Sequence, residues 1–312
     1  MSHALQVFSG TSNPGLAREI CDYLQLPPGA ALLSRFPNDE VRLRIEQNVR
    51  GADVFVVQSM SEPVDHHIMQ LLIMIDALRR GSAERITAVV PYFAYCKQEK
   101  KTAPREPISA KLVANLLTVA GADRVLTVDL HAPAIEGFFD IPVDHLRAAP
   151  ILADHFRALN LQHLVVVSPD SGGVGRADDF RYRVGASLAI IAKQRRGPDD
   201  VEMIDMVGDV RDRTAVIVDD MISTGGTLIE AAELLRQRGA RAVYAVATHA
   251  ILAGSAAERM RSGALDAAVV TNTIAVPDGK RSRHLTVLSV APLLAEVIRR
   301  IHDNVSVSAL FT

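Results

Sequence analysis

The apolar run Ala215-Val216-Ile217-Val218 passes directly into Asp219-Asp220-Met221-Ile222-Ser223-Thr224-Gly225-Gly226-Thr227-Leu228, and a helical pattern follows. Consecutive apolar residues of this kind suit a strand buried on both faces, as in a parallel sheet covered by helices. The small residues from Ser223 to Thr227 leave backbone N–H groups free to converge on one anion, and the helix after them offers its positive end to the same charge. A phosphate monoester fits that arrangement. The two carboxylates would repel a second phosphate but can accept hydrogen bonds from sugar hydroxyls, so the segment reads as a sugar phosphate site. The plainer reading is an acidic turn ahead of an ordinary helix.

Strand-length apolar runs recur at 6–9, 53–58, 85–90, 124–129, 164–168, 188–191, 242–247, 267–271 and 285–290, mostly separated by stretches of helical period. That alternation predicts an α/β fold of parallel sheets covered by helices. Residues 30–45 alternate more strictly and predict an antiparallel excursion. A length of 312 residues is about twice a common domain, so two domains are expected. A helix ending in basic residues and glycine, then a strand, occurs over 71–90 and again over 228–247. Duplication explains the echo, and so does ordinary helix capping. The expected division is 1–146 and 147–291, with the final helix, 292–302, packing back on the first domain.

A formal charge of −2 and 48% hydrophobic residues fit a globular protein with no overall attraction to nucleic acid or an anionic membrane. The longest uninterrupted apolar run, 71–75, is far below the roughly 20 residues that span a bilayer. Cys21 and Cys96 are too few for a disulfide framework and lack zinc-type spacing. With no basic region and long apolar core at the start, a reducing cytoplasm is the expected setting.

The loop at 219–227 is neither the GxxxxGK(S/T) loop nor GxGxxG. It resembles the phosphoribosyl-diphosphate signature of the type I phosphoribosyltransferase fold. There, two acids contact the ribose hydroxyls and a TGGT-like turn holds the 5-phosphate. Phe36-Pro37-Asn38-Asp39-Glu40, Asn48-Val49-Arg50-Gly51, Pro91-Tyr92-Phe93 and Arg105-Glu106-Pro107-Ile108-Ser109-Ala110-Lys111 narrow the resemblance. So do Asp129-Leu130-His131-Ala132-Pro133, Ser168-Pro169-Asp170-Ser171-Gly172-Gly173 and Ser306-Val307-Ser308-Ala309-Leu310-Phe311. Over nearly its whole length the chain resembles the ribose-phosphate diphosphokinase family. The resemblance implies two similar type I phosphoribosyltransferase-like domains. It implies transfer of the diphosphoryl group of ATP to the anomeric hydroxyl of ribose 5-phosphate, giving AMP and phosphoribosyl diphosphate, with magnesium. It also implies a homo-oligomer, a hexamer built from dimers.

By the same resemblance, ATP meets Phe36, Asn38, Asp39, Glu40, Lys97, Gln98 and His131, with Phe36 stacking on adenine unless it is a core residue. Magnesium meets His131 and Asp170. Histidine is an unusual partner for a cation that prefers oxygen, and Asp170 could instead cap a loop. Lys193 and Arg195 match a catalytic pair on a flexible loop that places positive charge against the transferring phosphoryl group. Arg195 also belongs to the ribose 5-phosphate set with Asp219, Asp220, Ser223, Thr224, Gly225, Gly226 and Thr227. The chain departs from the family at several positions. Lys97 stands where many members have arginine, keeping charge but losing a bidentate fork. Thr102 replaces a commonly acidic residue, Ala192 and Gln194 flank Lys193, and Ser223 replaces a common aspartate. A base phosphoribosyltransferase would use the same loop but leave 36–40 and His131 unexplained. A catalytically silent regulatory homologue is opposed by the retained Lys193, Arg195, His131, Asp170, Asp219 and Asp220.

Overall fold

A computed structural model describes residues 4–194 and 203–308. In chain order the first elements are β1 (Leu5–Ser9), α1 (Pro14–Leu24), β2 (Ala31–Arg35), β3 (Val41–Ile45), β4 (Asp53–Val57), α2 (Val64–Arg80), β5 (Arg85–Val90), α3 (Ser109–Ala120), β6 (Arg124–Val128) and β7 (Val143–Leu146). They are followed by α4 (Ala149–Ala158), β8 (Leu164–Ser168), α5 (Val174–Val184), β9 (Ser187–Gln194), β10 (Met203–Val207), β11 (Thr214–Ile222) and α6 (Gly226–Gln237). The last are β12 (Ala242–Ala250), α7 (Ala256–Arg259), β13 (Ala267–Thr271), β14 (Leu285–Leu288) and α8 (Ala291–His302). The chain divides into two compact units. One comprises Met1–Leu146, Thr273–Ala275 and Ser289–Thr312, the other Arg147–Asn272 and Val276–Leu288.

The first unit holds a parallel sheet in the order β1-β4-β5-β6-β7. The second holds a sheet in the order β10-β9-β8-β11-β12-β13-β14, parallel throughout except for the antiparallel edge strand β10. Within it, β8-β11-β12-β13-β14 repeats the strand order of the first sheet. The α/β reading with helix-covered parallel sheets therefore holds, and the antiparallel excursion is the hairpin β2–β3. Short β7, with the sequence VDHL, and β10, with MIDMV, lack the apolar runs that mark the other strands. Tertiary pairing makes them strands.

Two differences bear on the site. The apolar run ends at Val218, but β11 stays paired with β12 as far as Ile222↔Ala250, so Asp219 and Asp220 lie within the strand. Likewise β9 continues past Ile191 to Gln194, paired with β10, and Lys193 is a strand residue. In both places a neighbouring strand extends the ladder beyond the apolar sequence. The core of the second unit includes Val165, Val167, Ile217, Leu235, Val243 and Val270. That of the first includes Phe8, Phe55, Leu71, Met74 and Leu117, with α8 packed on α1. Cys21 and Cys96 are both buried. No helix among the described residues is long and apolar enough to cross a membrane.

An ionic clasp fastens α8 to this first sheet. Asp53, its side chain only 4% exposed, accepts from Arg85 Nε at 2.8 Å and Nη2 at 2.6 Å. The same Nη2 donates to the Ile301 carbonyl at 2.8 Å, and His302 Nδ1 lies 2.8 Å from Asp53 Oδ2. Removing the carboxylate leaves a part-buried guanidinium without its countercharge. Asp53→Ala is expected to lower unfolding free energy by about 2–3 kcal/mol, measured by urea denaturation, and to expose α8 to amide exchange.

Candidate functional site

In the second unit, β9, β8 and β11 are adjacent parallel strands, so the segments leaving their C-terminal ends gather at one sheet edge. Ligands of open α/β sheets bind there. The structure brings together at this edge Asp170 after β8, Lys193 near the end of β9, and Asp219–Thr227 at the end of β11. Arg195 lies outside the described residues.

The turn after β11 is Ser223-Thr224-Gly225. Gly225 has φ +75° and forms the N-cap of α6 with no side-chain cap, a left-handed conformation that glycine adopts without penalty. The N–H groups of Gly226, Thr227 and Leu228 belong to the first helical turn and have no intrahelical acceptor, which leaves them for an anion. Backbone bonds from Leu252 N–H to Ile222 O and from Ala253 N–H to Ser223 O, both 3.0 Å, fix the turn from behind. A Cβ built on Gly226 would come 3.3 Å from Arg259 Nη1 and meet no backbone. Arg259 Nη1 also lies 3.4 Å from the Thr224 carbonyl.

Asp220 is 2% exposed, and its N–H donates to Asp219 Oδ1 at 2.8 Å. Arg176, on the first turn of α5, reaches both acids, with Nη1 3.2 Å from Asp219 Oδ1 and 3.7 Å from Asp220 Oδ1. Burial, then the adjacent Asp220 carboxyl, pushes the Asp219 carboxyl up from 3.8 to about 7, against the opposing pull of Arg176. Arg176 escaped sequence reasoning because a basic residue early in a helix looks like solvated surface. Asp170 Oδ1 accepts from Gly173 N–H at 2.8 Å, and Ser168 Oγ donates to the Asp170 carbonyl at 2.7 Å. The acid therefore caps its own turn with one oxygen.

In the first unit, β5 and β6 are adjacent and parallel. Lys97 and Gln98 follow β5 and His131 follows β6, so these three share one sheet edge. Gln98 Oε1 accepts from Ser109 Oγ at 2.6 Å, tying the segment to the start of α3. Glu106 accepts from Thr102 N–H and Oγ1 at 2.8 Å and from Ala103 N–H at 2.9 Å. These bonds, led by the Thr102 N–H, hold its carboxyl below the usual range. Thr102 thus closes a short loop with Glu106. Phe36, Asn38, Asp39 and Glu40 are on a separate element, the tip of the β2–β3 hairpin. Phe36 is 45% exposed, which excludes a core position, and the Arg42 guanidinium lies 5.7 Å from its ring centroid. Asp39 pairs with Arg35 across the turn.

Comparison with known proteins gives a consistent result. A sequence profile described as the N-terminal domain of ribose phosphate pyrophosphokinase matches residues 5–121, and one described as a phosphoribosyl synthetase-associated domain matches residues 195–312. A ribose-phosphate pyrophosphokinase from Nostoc sp. is 50% identical over 311 residues, covering 99% of this chain and 94% of the relative. One from Bacillus caldolyticus is 50% identical over 309 residues, covering 99% and 98%. The crystal structure of phosphoribosylpyrophosphate synthetase from Mycobacterium smegmatis superposes with a TM-score of 0.92 at 44% identity, covering 96% of this chain and 99% of that one.

The raised Asp219 carboxyl has a measurable signature. The folded protein keeps a proton that the unfolded chain has released, so this group alone makes the fold less stable as pH rises from about 4 to about 7. Carboxyl-carbon NMR is expected to show Asp219 titrating near neutrality, and Arg176→Met is expected to move it higher still. Titration near pH 4 would overturn the account of the pair.

Proposed function

The chain belongs to the ribose-phosphate pyrophosphokinase family, and from that premise we propose that it transfers the diphosphoryl group of ATP to the anomeric hydroxyl of ribose 5-phosphate. The anomeric oxygen bonds to the β-phosphorus, the bond from that phosphorus to the α,β-bridging oxygen breaks, AMP leaves with that oxygen, and the hydroxyl proton is lost. One observation carries the placement of the sugar phosphate. Left-handed Gly225 opens the first N–H groups of α6 just beyond two carboxylates, and the side-chain atoms near Gly226 are the end of Arg259 and the Thr224 hydroxyl.

In this reading Ser223, Thr224, Gly225, Gly226 and Thr227 hold the 5-phosphate, and Asp219 and Asp220 accept from ribose hydroxyls. Phe36 stacks on adenine, while Asn38, Asp39, Glu40, Lys97, Gln98 and His131 supply polar contacts to ATP. Lys193 and Arg195 stabilise negative charge on the departing and transferring oxygens. A base phosphoribosyltransferase leaves the match to residues 5–121 unexplained.

Magnesium fits this residue set as a substrate-borne ion. Among the described residues no group of three or more His, Cys, Asp or Glu side chains could hold a metal. Magnesium is commonly bound by one or two protein groups together with substrate phosphates and water. The second oxygen of Asp170 and the ring of His131 are the groups assigned to it. When bound, magnesium neutralises phosphate charge and orients the diphosphoryl group. Assembly into a hexamer and a cytoplasmic setting belong to the same proposal, and light scattering tests the first.

AMP formation is expected to require both ribose 5-phosphate and a divalent cation. Consumption of phosphoribosyl diphosphate with a base, without ATP, would overturn the reading. Gly226→Val places a branched side chain where phosphate must approach and displaces only the flexible end of Arg259. It is expected to abolish ribose 5-phosphate binding in calorimetry while the protein remains folded and binds magnesium-ATP. Lys193→Ala and Arg195→Ala are expected to lower kcat by about 100-fold or more with much smaller changes in substrate binding, and an unchanged kcat would remove them from catalysis.

A further inference from the structure

We infer that His145, oriented by Glu136, is a positioning residue for the turn that carries His131. The ladder between β6 and β7 ends at Val128↔Leu146, and the chain must then turn sharply. Asp129 takes φ +41°, a left-handed conformation costly for a residue with a side chain. Two consecutive N–H groups hold it there. Asp129 N–H donates to the Leu146 carbonyl at 3.0 Å, the last bond that the strand geometry supplies. Leu130 N–H, on a buried residue, donates instead to His145 Nε2 at 2.8 Å.

That bond fixes the tautomer. A backbone N–H can only donate, so Nε2 carries the lone pair and Nδ1 carries the proton, which it donates to Glu136 Oε1. The His145 side chain is 3% exposed, so its ring has no latitude to swing into water. Glu136 lies in the short 3-10 helix Pro133–Phe138, and Lys111 Nζ on α3 anchors that helix by donating to the Phe138 carbonyl at 2.6 Å. The chain of contacts runs from α3 through Glu136 and His145 to the Asp129–Leu130 peptide, one residue ahead of His131. An apolar side chain of similar size could fill the space. It could not accept from Leu130 N–H, and a buried donor without an acceptor would drive the turn to rearrange.

The inference rests on the assignment of His131 to magnesium-ATP made above, and the test separates the two. Variants His145→Ala, His145→Gln, Glu136→Gln, His131→Ala and the double variant His131→Ala/His145→Ala are compared. The readouts are KM for each substrate, kcat, calorimetric affinity for magnesium-ATP and amide exchange at Leu130. His145→Ala is expected to speed Leu130 exchange and weaken magnesium-ATP binding about tenfold or more, with KM for ribose 5-phosphate unchanged. Glutamine at 145 retains an acceptor at similar reach and is expected to restore most of the affinity. Glu136→Gln, which keeps the packing and a neutral acceptor, is expected to give an intermediate loss. The double variant is expected to be no weaker than His131→Ala alone. Equal losses for both substrates, or losses that multiply in the double variant, would overturn the inference. A silent His145→Ala beside a damaging His131→Ala sinks the inference alone. A silent His131→Ala removes that residue from ATP binding and the inference with it.

Discussion

The backbone ladder between β11 and β12 governs the geometry of the second unit. Because the two strands stay paired to Ile222↔Ala250, Asp219 and Asp220 are locked in extended backbone where a loop would leave them free. The chain then has three residues, Ser223 to Gly225, in which to reverse into α6. Rigidity upstream and a tight turn downstream put two acids and a row of N–H groups within one small volume. Such pre-positioning spares the ordering cost that a mobile loop would incur on binding. Burial, and after it the neighbouring Asp220 carboxyl, pushes Asp219 toward its neutral form, and Arg176 moderates that pressure.

A second use of this geometry appears in the first unit, where the strand order is repeated and the exits of β5 and β6 carry Lys97, Gln98 and His131. What differs is the decoration. The first sheet is accompanied by a separate β2–β3 hairpin, whereas the second is widened by β9 and β10. One scaffold thus presents two chemically distinct edges, one with an aromatic-tipped hairpin on a neighbouring element and one with carboxylates and a tight turn of small residues.

The sequence made the fold legible wherever local pattern and tertiary environment agreed. Runs such as DVFVV and LVVVS have no sensible place except a buried strand. VDHL and MIDMV do not announce themselves, since their pairing is decided by partners distant in sequence. The small-residue turn was readable because backbone conformation and close approach demand those residue types, and left-handed Gly225 shows the demand. Arg176, Arg259, Arg42 and His145 were silent for the opposite reason. Each is a polar residue whose importance comes from a neighbour that only folding supplies, Asp219 for the first and the Leu130 peptide for the last. The length of β11 was underestimated because hydrophobicity marks where a strand is buried, while hydrogen bonding to a neighbour decides where it stops.

The helix α8 belongs to the first unit although it is translated after all of the second. Until it emerges, the apolar face of α1 lacks its cover, and Asp53 and Arg85 lack His302 and the Ile301 carbonyl. The half of the protein that leaves the ribosome first is therefore completed last. From Leu146 until α8 emerges its sheet has all its strands but lacks that cover, and so stays open to chaperones and to association with other nascent chains.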